Sequence, residues 1–125
     1  MSGLSGRRIL VVEDEYFIAD DLVVALRAAG AEIIGPASTW REALSMLEAT
    51  PPDLAILDIN LRGENSFAVA DALAARGLPF VLATGYDPSA IPERHAGRPV
   101  WQKPFDVDEI ATALSQDVAE APAKN

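Results

Sequence analysis

Four short apolar runs each stop at a polar or charged side chain. They are Ile9-Leu10-Val11-Val12 before Glu13-Asp14, Leu54-Ala55-Ile56-Leu57 before Asp58, Pro79-Phe80-Val81-Leu82-Ala83 before Thr84, and Pro99-Val100-Trp101-Gln102 before Lys103. Such runs, with little polar alternation, suit strands buried on both faces of a parallel sheet. Between them the apolar positions recur at helical spacing: Ile18, Leu22, Ala25, Leu26 and Ala29 over 15–29, then Trp40, Ala43, Leu44 and Leu47 over 39–49. The spacing continues with Phe67, Ala70, Leu73 and Ala74 over 66–76, and with Ile110 and Leu114 over 107–118. Gly30 and Gly77 stop two of these helices and Thr50-Pro51-Pro52 a third. A short strand is predicted at 31–35. Asp87-Pro88 supplies an N-cap and first helical position, but Pro92 follows so soon that the fourth helix is expected to be short or irregular.

Five strands alternating with five helical stretches predict a doubly wound α/β domain over 7–118, helices on both faces, with a flexible leader at 1–6 and a frayed tail at 119–125. Ligands of such sheets sit beyond the carboxyl ends of the strands, where strand order reverses. That rim is where Glu13, Asp14, Asp58, Thr84 and Lys103 fall.

At 125 residues, half of them hydrophobic, the chain is about one domain with a real core. Its net charge of -9 argues against gripping nucleic acid or an anionic membrane, since both need cationic surface. The absence of cysteine excludes disulfides and thiolate chemistry, and no apolar run approaches the ~20 residues that span a bilayer. A cytoplasmic setting is the expectation.

Three converging carboxylates repel unless a proton or a cation neutralises them. Glu13, Asp14 and Asp58 therefore suggest a hard divalent ion, and an open site of few protein oxygens suits Mg²⁺. Lys103 adds a positive charge and Thr84 a hydroxyl donor around Asp58. That set can stabilise a phosphoryl group in transfer, with Asp58 as the nucleophile. Taken singly, each residue has a bland reading: Glu13-Asp14-Glu15 as a helix-dipole turn, Asp58 as a strand-ending turn, Lys103-Pro104 as a surface lysine before a turn. Their conjunction is what points to chemistry. His95, in a polar stretch with Arg94 and Arg98, reads as a solvated surface residue.

From about Arg8 to Val118 the sequence resembles the CheY-like receiver domain of two-component response regulators. The resemblance rests on Ile-Leu-Val-Val-Glu-Asp-Glu at 9–15, Leu-Asp-Ile-Asn-Leu at 57–61, Ala-Thr-Gly at 83–85 and Lys-Pro-Phe at 103–105. It implies strand order 2-1-3-4-5 and a phosphoryl group accepted on Asp58 from a histidine kinase. It also implies Mg²⁺ held by Glu13, Asp14, Asp58 and the backbone carbonyl of Asn60, phosphoryl contacts from Thr84 and Lys103, a cis Lys103-Pro104 bond, and a downstream protein target. The run 79–86 further resembles a subfamily marked Pro-Phe-x-Phe-Ala-Thr-Gly-Tyr, with Leu82 in place of the second Phe. That likeness points to a kinase of the HWE class.

One departure bears on mechanism. Receivers usually carry Tyr or Phe three residues before the lysine, where this chain has Val100. Strand alternation turns the adjacent Trp101 to the opposite face, which makes Tyr86 the preferred switch residue and Trp101 the second candidate. Three other functions compete. A haloacid-dehalogenase-like phosphatase expects Asp two positions after the nucleophile, where Asn60 stands. A flavodoxin-like cofactor binder wants a phosphate loop where Glu13-Asp14 would repel it. A phosphorylation-independent pseudo-receiver is weakened by the complete set of site residues.

Overall fold

The computed structural model describes residues 3–85 and 90–124. In chain order the elements are β1 (Arg8–Val12), α1 (Tyr16–Ala28), β2 (Glu32–Ala37), α2 (Trp40–Ala49), β3 (Leu54–Asp58), β4 (Asn60–Leu61) and β5 (Glu64–Asn65). They continue with α3 (Phe67–Ala75), β6 (Phe80–Thr84), β7 (Val100–Gln102) and α4 (Val107–Lys124). The five long strands pair in parallel in the order β2-β1-β3-β6-β7, which is the predicted order once the β4–β5 hairpin is set aside. Register pairs Val12 with Leu57, Asp58 with Ala83 and Thr84 with Gln102, so the carboxyl ends of β1, β3, β6 and β7 arrive at one rim.

Alternation along each strand feeds two core layers. Leu10, Val12, Leu57, Phe80 and Leu82 face α2 and α3 through Ala43, Leu47, Val69, Ala70 and Leu73. Ile9, Val11, Ile56 and Val81 face α1 and α4 through Leu22, Leu26, Ile110 and Leu114. Val100 packs against the first layer and Trp101 against the second, as alternation requires. The inward set of α3 is shifted from the predicted one: Val69 is buried and Ala74 exposed.

Local chemistry explains most boundaries. Thr39 caps α2 by accepting from the Glu42 amide at 3.1 Å, while Glu42 reaches back to the Ser38 amide at 2.9 Å, a variant of the capping box. Ser66 precedes α3 without capping it, because its hydroxyl donates instead to the carbonyl of Asp58 at 2.6 Å. In the connection to β7 the 3₁₀ turn Glu93–His95 follows Pro92, in keeping with Pro92 as a helix breaker, while the expected helix start at Asp87-Pro88 lies outside the described residues. Helix α4 runs past the expected end at Val118, since Ala119, Glu120 and Ala121 are all good helix formers.

Between β4 and β5, Arg62 (φ 53°) and Gly63 (φ 83°) form a two-residue turn with both central residues left-handed, the geometry that closes a tight hairpin. The leader is not wholly flexible: Leu4 is 0% exposed within the layer of Ile9, Leu26 and Leu114. It is held by the Arg7 amide donating to the Leu4 carbonyl at 2.9 Å and the Gly6 amide to the Gly30 carbonyl at 3.1 Å. An isolated leucine among Ser and Gly carries no periodicity, so its burial left no pattern to read.

The buried Leu4 sets up the first prediction. Leu4→Ala should destabilise the protein by about 2–5 kcal/mol in urea unfolding, the usual cost of a buried Leu→Ala. An unchanged midpoint would restore the flexible leader.

Candidate functional site

The carboxyl ends of β1, β3 and β7 place one ammonium between three carboxylates. Lys103 Nζ donates to Asp58 Oδ2 at 2.9 Å, to Glu13 Oε2 at 3.0 Å and to Glu15 Oε1 at 3.4 Å. Glu13 and Asp58 are each only 3% exposed, so their charges sit where water screens them poorly. Backbone donors add to this: the Asn60 amide donates to the second Asp58 oxygen, Oδ1, at 3.0 Å, and the Glu15 amide donates at 3.0 Å to the same Glu13 Oε2 that accepts from Lys103. Asp14, half-buried, accepts from the Arg62 amide at 2.9 Å, which ties the hairpin turn to the end of β1. The cis peptide expected between Lys103 and Pro104 is present, and the Lys103 amide donates to the Thr84 carbonyl at 2.8 Å.

The electrostatics follow from this packing. Burial, and next the charge of Asp58, push the Glu13 carboxyl up to about 7, against the opposing pull of the Glu15 amide and Lys103. Burial works against the charged form of Lys103, but hydrogen bonds to Asp58 and Glu13 outweigh it and raise the ammonium above its usual range. The lysine is thus a fixed positive charge with no tendency to give up its proton at neutral pH.

Glu13, Asp14 and Asp58 each offer an oxygen within 4.8 Å of the others, a spacing that one cation can span. Asp14, Glu15, Asp58, Asn60, Gly85 and Lys103 line an open cleft of about 340 Å³ above them. Thr84 is fully buried at the end of β6, and it is the neighbouring Gly85 that lines the cleft. Of the residues singled out in the sequence, Glu13, Asp14, Asp58, Asn60 and Lys103 are therefore brought together, with Thr84 at the adjoining strand end. Tyr86 lies outside the described residues. Trp101 packs near Phe105 and Val107 on the α1–α4 side, away from the cleft lining.

Three participants escaped the sequence reading. Glu15 supplies a third, exposed partner for Lys103. Arg62 acts through its backbone amide, which no side-chain pattern reveals. Ser66 is fully buried under Asp58, and its one legible signal was a polar residue at a helix start. The reading of His95 also fails: the ring is 2% exposed and its Nε2–H donates to Asp71 Oδ1 at 2.7 Å. Polar neighbours in sequence hid an inward-facing ring.

Known proteins resemble this chain in sequence and fold. A family model described as the response regulator receiver domain matches residues 9–115. The transcriptional regulatory protein PdtaR of Mycobacterium tuberculosis is 32% identical over 117 residues, 90% of this chain and 57% of that protein. The chain thus spans little more than half the length of that curated relative. The solution structure of SdrG from Sphingomonas melonis Fr1 superimposes with a TM-score of 0.76 at 47% identity, covering 91% of this chain and 96% of that one. The response regulator PhyR from Brucella abortus gives a TM-score of 0.80 at 27% identity, covering 96% of this chain and 51% of that one.

The Glu13 environment carries a pH prediction. Its folded-state pKa of about 7 exceeds the ordinary 4.5, so the folded protein binds more protons between these values and stability falls as pH rises through that window. In metal-free buffer at pH 8, Glu13→Gln should be more stable than wild type by roughly 1–3 kcal/mol, at about 1.4 kcal/mol for each pKa unit. The gap should close below pH 4.5, as followed by urea unfolding across pH. A gap of opposite sign at pH 8 would mean that the lysine, not burial, governs Glu13.

Proposed function

The chain belongs to the response regulator receiver domain family, whose members take phosphoryl groups from histidine kinases and regulate partners, and we propose that here Asp58 is the acceptor. The observation that carries the reading is the convergence of three carboxylates within 4.8 Å, with Lys103 Nζ 2.9 Å from Asp58. In the proposed reaction an Asp58 carboxylate oxygen attacks the phosphorus of a phosphohistidine. The P–N bond breaks, its electron pair stays on the imidazole, and an acyl phosphate forms. Lys103, held protonated, is placed to follow the charge from Asp58 Oδ2 onto a phosphoryl oxygen without itself losing a proton.

The donor set is all oxygen and fits Mg²⁺, with Glu13, Asp14, Asp58 and the Asn60 carbonyl as the proposed ligands. When bound there, the ion would neutralise the carboxylates and the incoming phosphoryl oxygens. Thr84, at the end of β6, is the proposed second phosphoryl contact, and Tyr86 and Trp101 the proposed switch residues. The protein then acts by binding a downstream protein, not by turnover of a substrate. Asn60 supports that view, because its side chain accepts from the Gly63 amide at 3.1 Å and has no proton to give as an acid in the manner of a phosphatase aspartate.

The net charge of -9 favours a protein partner over nucleic acid or an anionic membrane. Among the described residues no helix is long and apolar enough to cross a membrane. The exposed pair Tyr16 and Phe17, next to the cleft-lining Glu15, is the proposed contact for the kinase, and the subfamily motif points to the HWE class.

With a phosphorylated HWE-type kinase and Mg²⁺, labelled phosphate should pass to the wild-type protein and not to Asp58→Asn. Lys103→Met should slow transfer by roughly 10²-fold, the scale of one lost preorganised contact. Steady phosphate release from simple phosphomonoesters would favour the haloacid-dehalogenase-like reading.

A further inference from the structure

A second cluster of ionisable side chains joins α3 to the β6–β7 connection, away from the carboxylate cleft. Asp71 on α3 accepts from Arg94 at 2.8 and 3.2 Å and from His95 Nε2–H at 2.7 Å. The Arg94 pair is exposed on both sides and contributes little by itself. His95 is different. Its ring is buried, stacked on Phe67 with centroids 6.3 Å apart at 22°, and meets Phe80 edge to face at 5.8 Å and 71°. A carboxylate oxygen only accepts, so Nε2 carries the proton. Nδ1 then faces the interior, and among the described residues it is the sole buried side-chain polar atom without a hydrogen-bond partner.

A nitrogen buried bare is costly, and water would satisfy it at once if the ring swung out. The ring is therefore held by aromatic packing and one charge-assisted bond, against a built-in bias toward release. Both of its aromatic neighbours lead to the Asp58 cleft. Phe67 follows Ser66, whose hydroxyl donates to the Asp58 carbonyl at 2.6 Å and whose amide donates to the Ile59 carbonyl at 3.0 Å. Phe80 opens β6, the strand that ends at Thr84. A contiguous path of hydrogen bond, backbone and ring contact thus runs from Asp58 to the connection.

We propose that the His95–Asp71 contact is a latch holding the β6–β7 connection on α3, and that phosphorylation at Asp58 opens it through Ser66 and Phe67. The latch takes the part that an aromatic ring at Val100 would otherwise play, and it rests on the receiver reading above. His95 is in this sense a positioning residue for the β6–β7 connection.

Hydrogen exchange of the amides of His95, Ala96 and Arg98, which are bonded to Pro92, Glu93 and His95 carbonyls, reads the latch directly. Occupancy of Asp58 by beryllofluoride with Mg²⁺ is read independently by ¹⁹F NMR. Beryllofluoride should speed exchange at these amides by at least ~5-fold, the low end of typical site-to-site coupling. Asp71→Ala, a half-exposed position that leaves the core intact, should give the same acceleration with no ligand and little more with it. Ser66→Ala should bind beryllofluoride and leave the connection protected. A bound ¹⁹F signal with unchanged exchange in wild type, or wild-type protection in Asp71→Ala, would overturn the latch alone. No bound ¹⁹F signal would overturn the receiver reading, and the latch with it.

Discussion

One ammonium shared by two buried carboxylates is the interaction around which this molecule is arranged. Glu13 and Asp58 are nearly inaccessible to water, and their mutual repulsion raises the cost of holding both charges. Lys103 touches both at about the closest distance an ammonium allows. Removing it would leave two buried charges facing one another, a far larger penalty than losing an exposed ion pair. The same lysine lines the open cleft together with Asp58, where the proposed phosphoryl group would be received.

The fold is what makes the arrangement possible. The β1–β3–β6–β7 portion of the sheet brings four strand ends to one rim in register, so residues up to 90 positions apart in sequence meet within hydrogen-bond distance. Two-sided burial fixes that register, since a one-residue slip would turn each strand's apolar set onto the wrong layer. The hairpin then closes the site from outside: its left-handed Arg62-Gly63 turn directs the Arg62 amide at Asp14. Ser66 closes it from beneath by gripping the Asp58 carbonyl, at the cost of leaving α3 without a side-chain cap.

Sheet, helices and the cluster of Glu13, Asp14, Asp58 and Lys103 were legible because each rests on contrast along the chain. A carboxylate that ends Leu54-Ala55-Ile56-Leu57 announces itself, and so does a lysine that ends Val100-Trp101-Gln102. The features that escaped depend on contacts with no such contrast. Two-residue strands lack a period, and Arg62 is an unusual occupant of a left-handed turn position. Leu4 is one apolar residue among small polar ones. His95 sits among prolines and arginines, yet the 3₁₀ turn Glu93–His95 places this ring against Phe67 and Phe80. Val100 and Trp101, by contrast, separate onto opposite layers as strand alternation alone requires.

Everything in this account turns on Asp58 being a nucleophile toward phosphorus, and that is testable without any kinase. Intact-mass analysis after incubation with a small acyl or amido phosphodonor, with and without Mg²⁺, asks the question of the site itself. The account predicts a single phosphate adduct that requires the metal and is absent from Asp58→Asn. An unmodified mass in the presence of Mg²⁺, or an adduct that persists in Asp58→Asn, would contradict it.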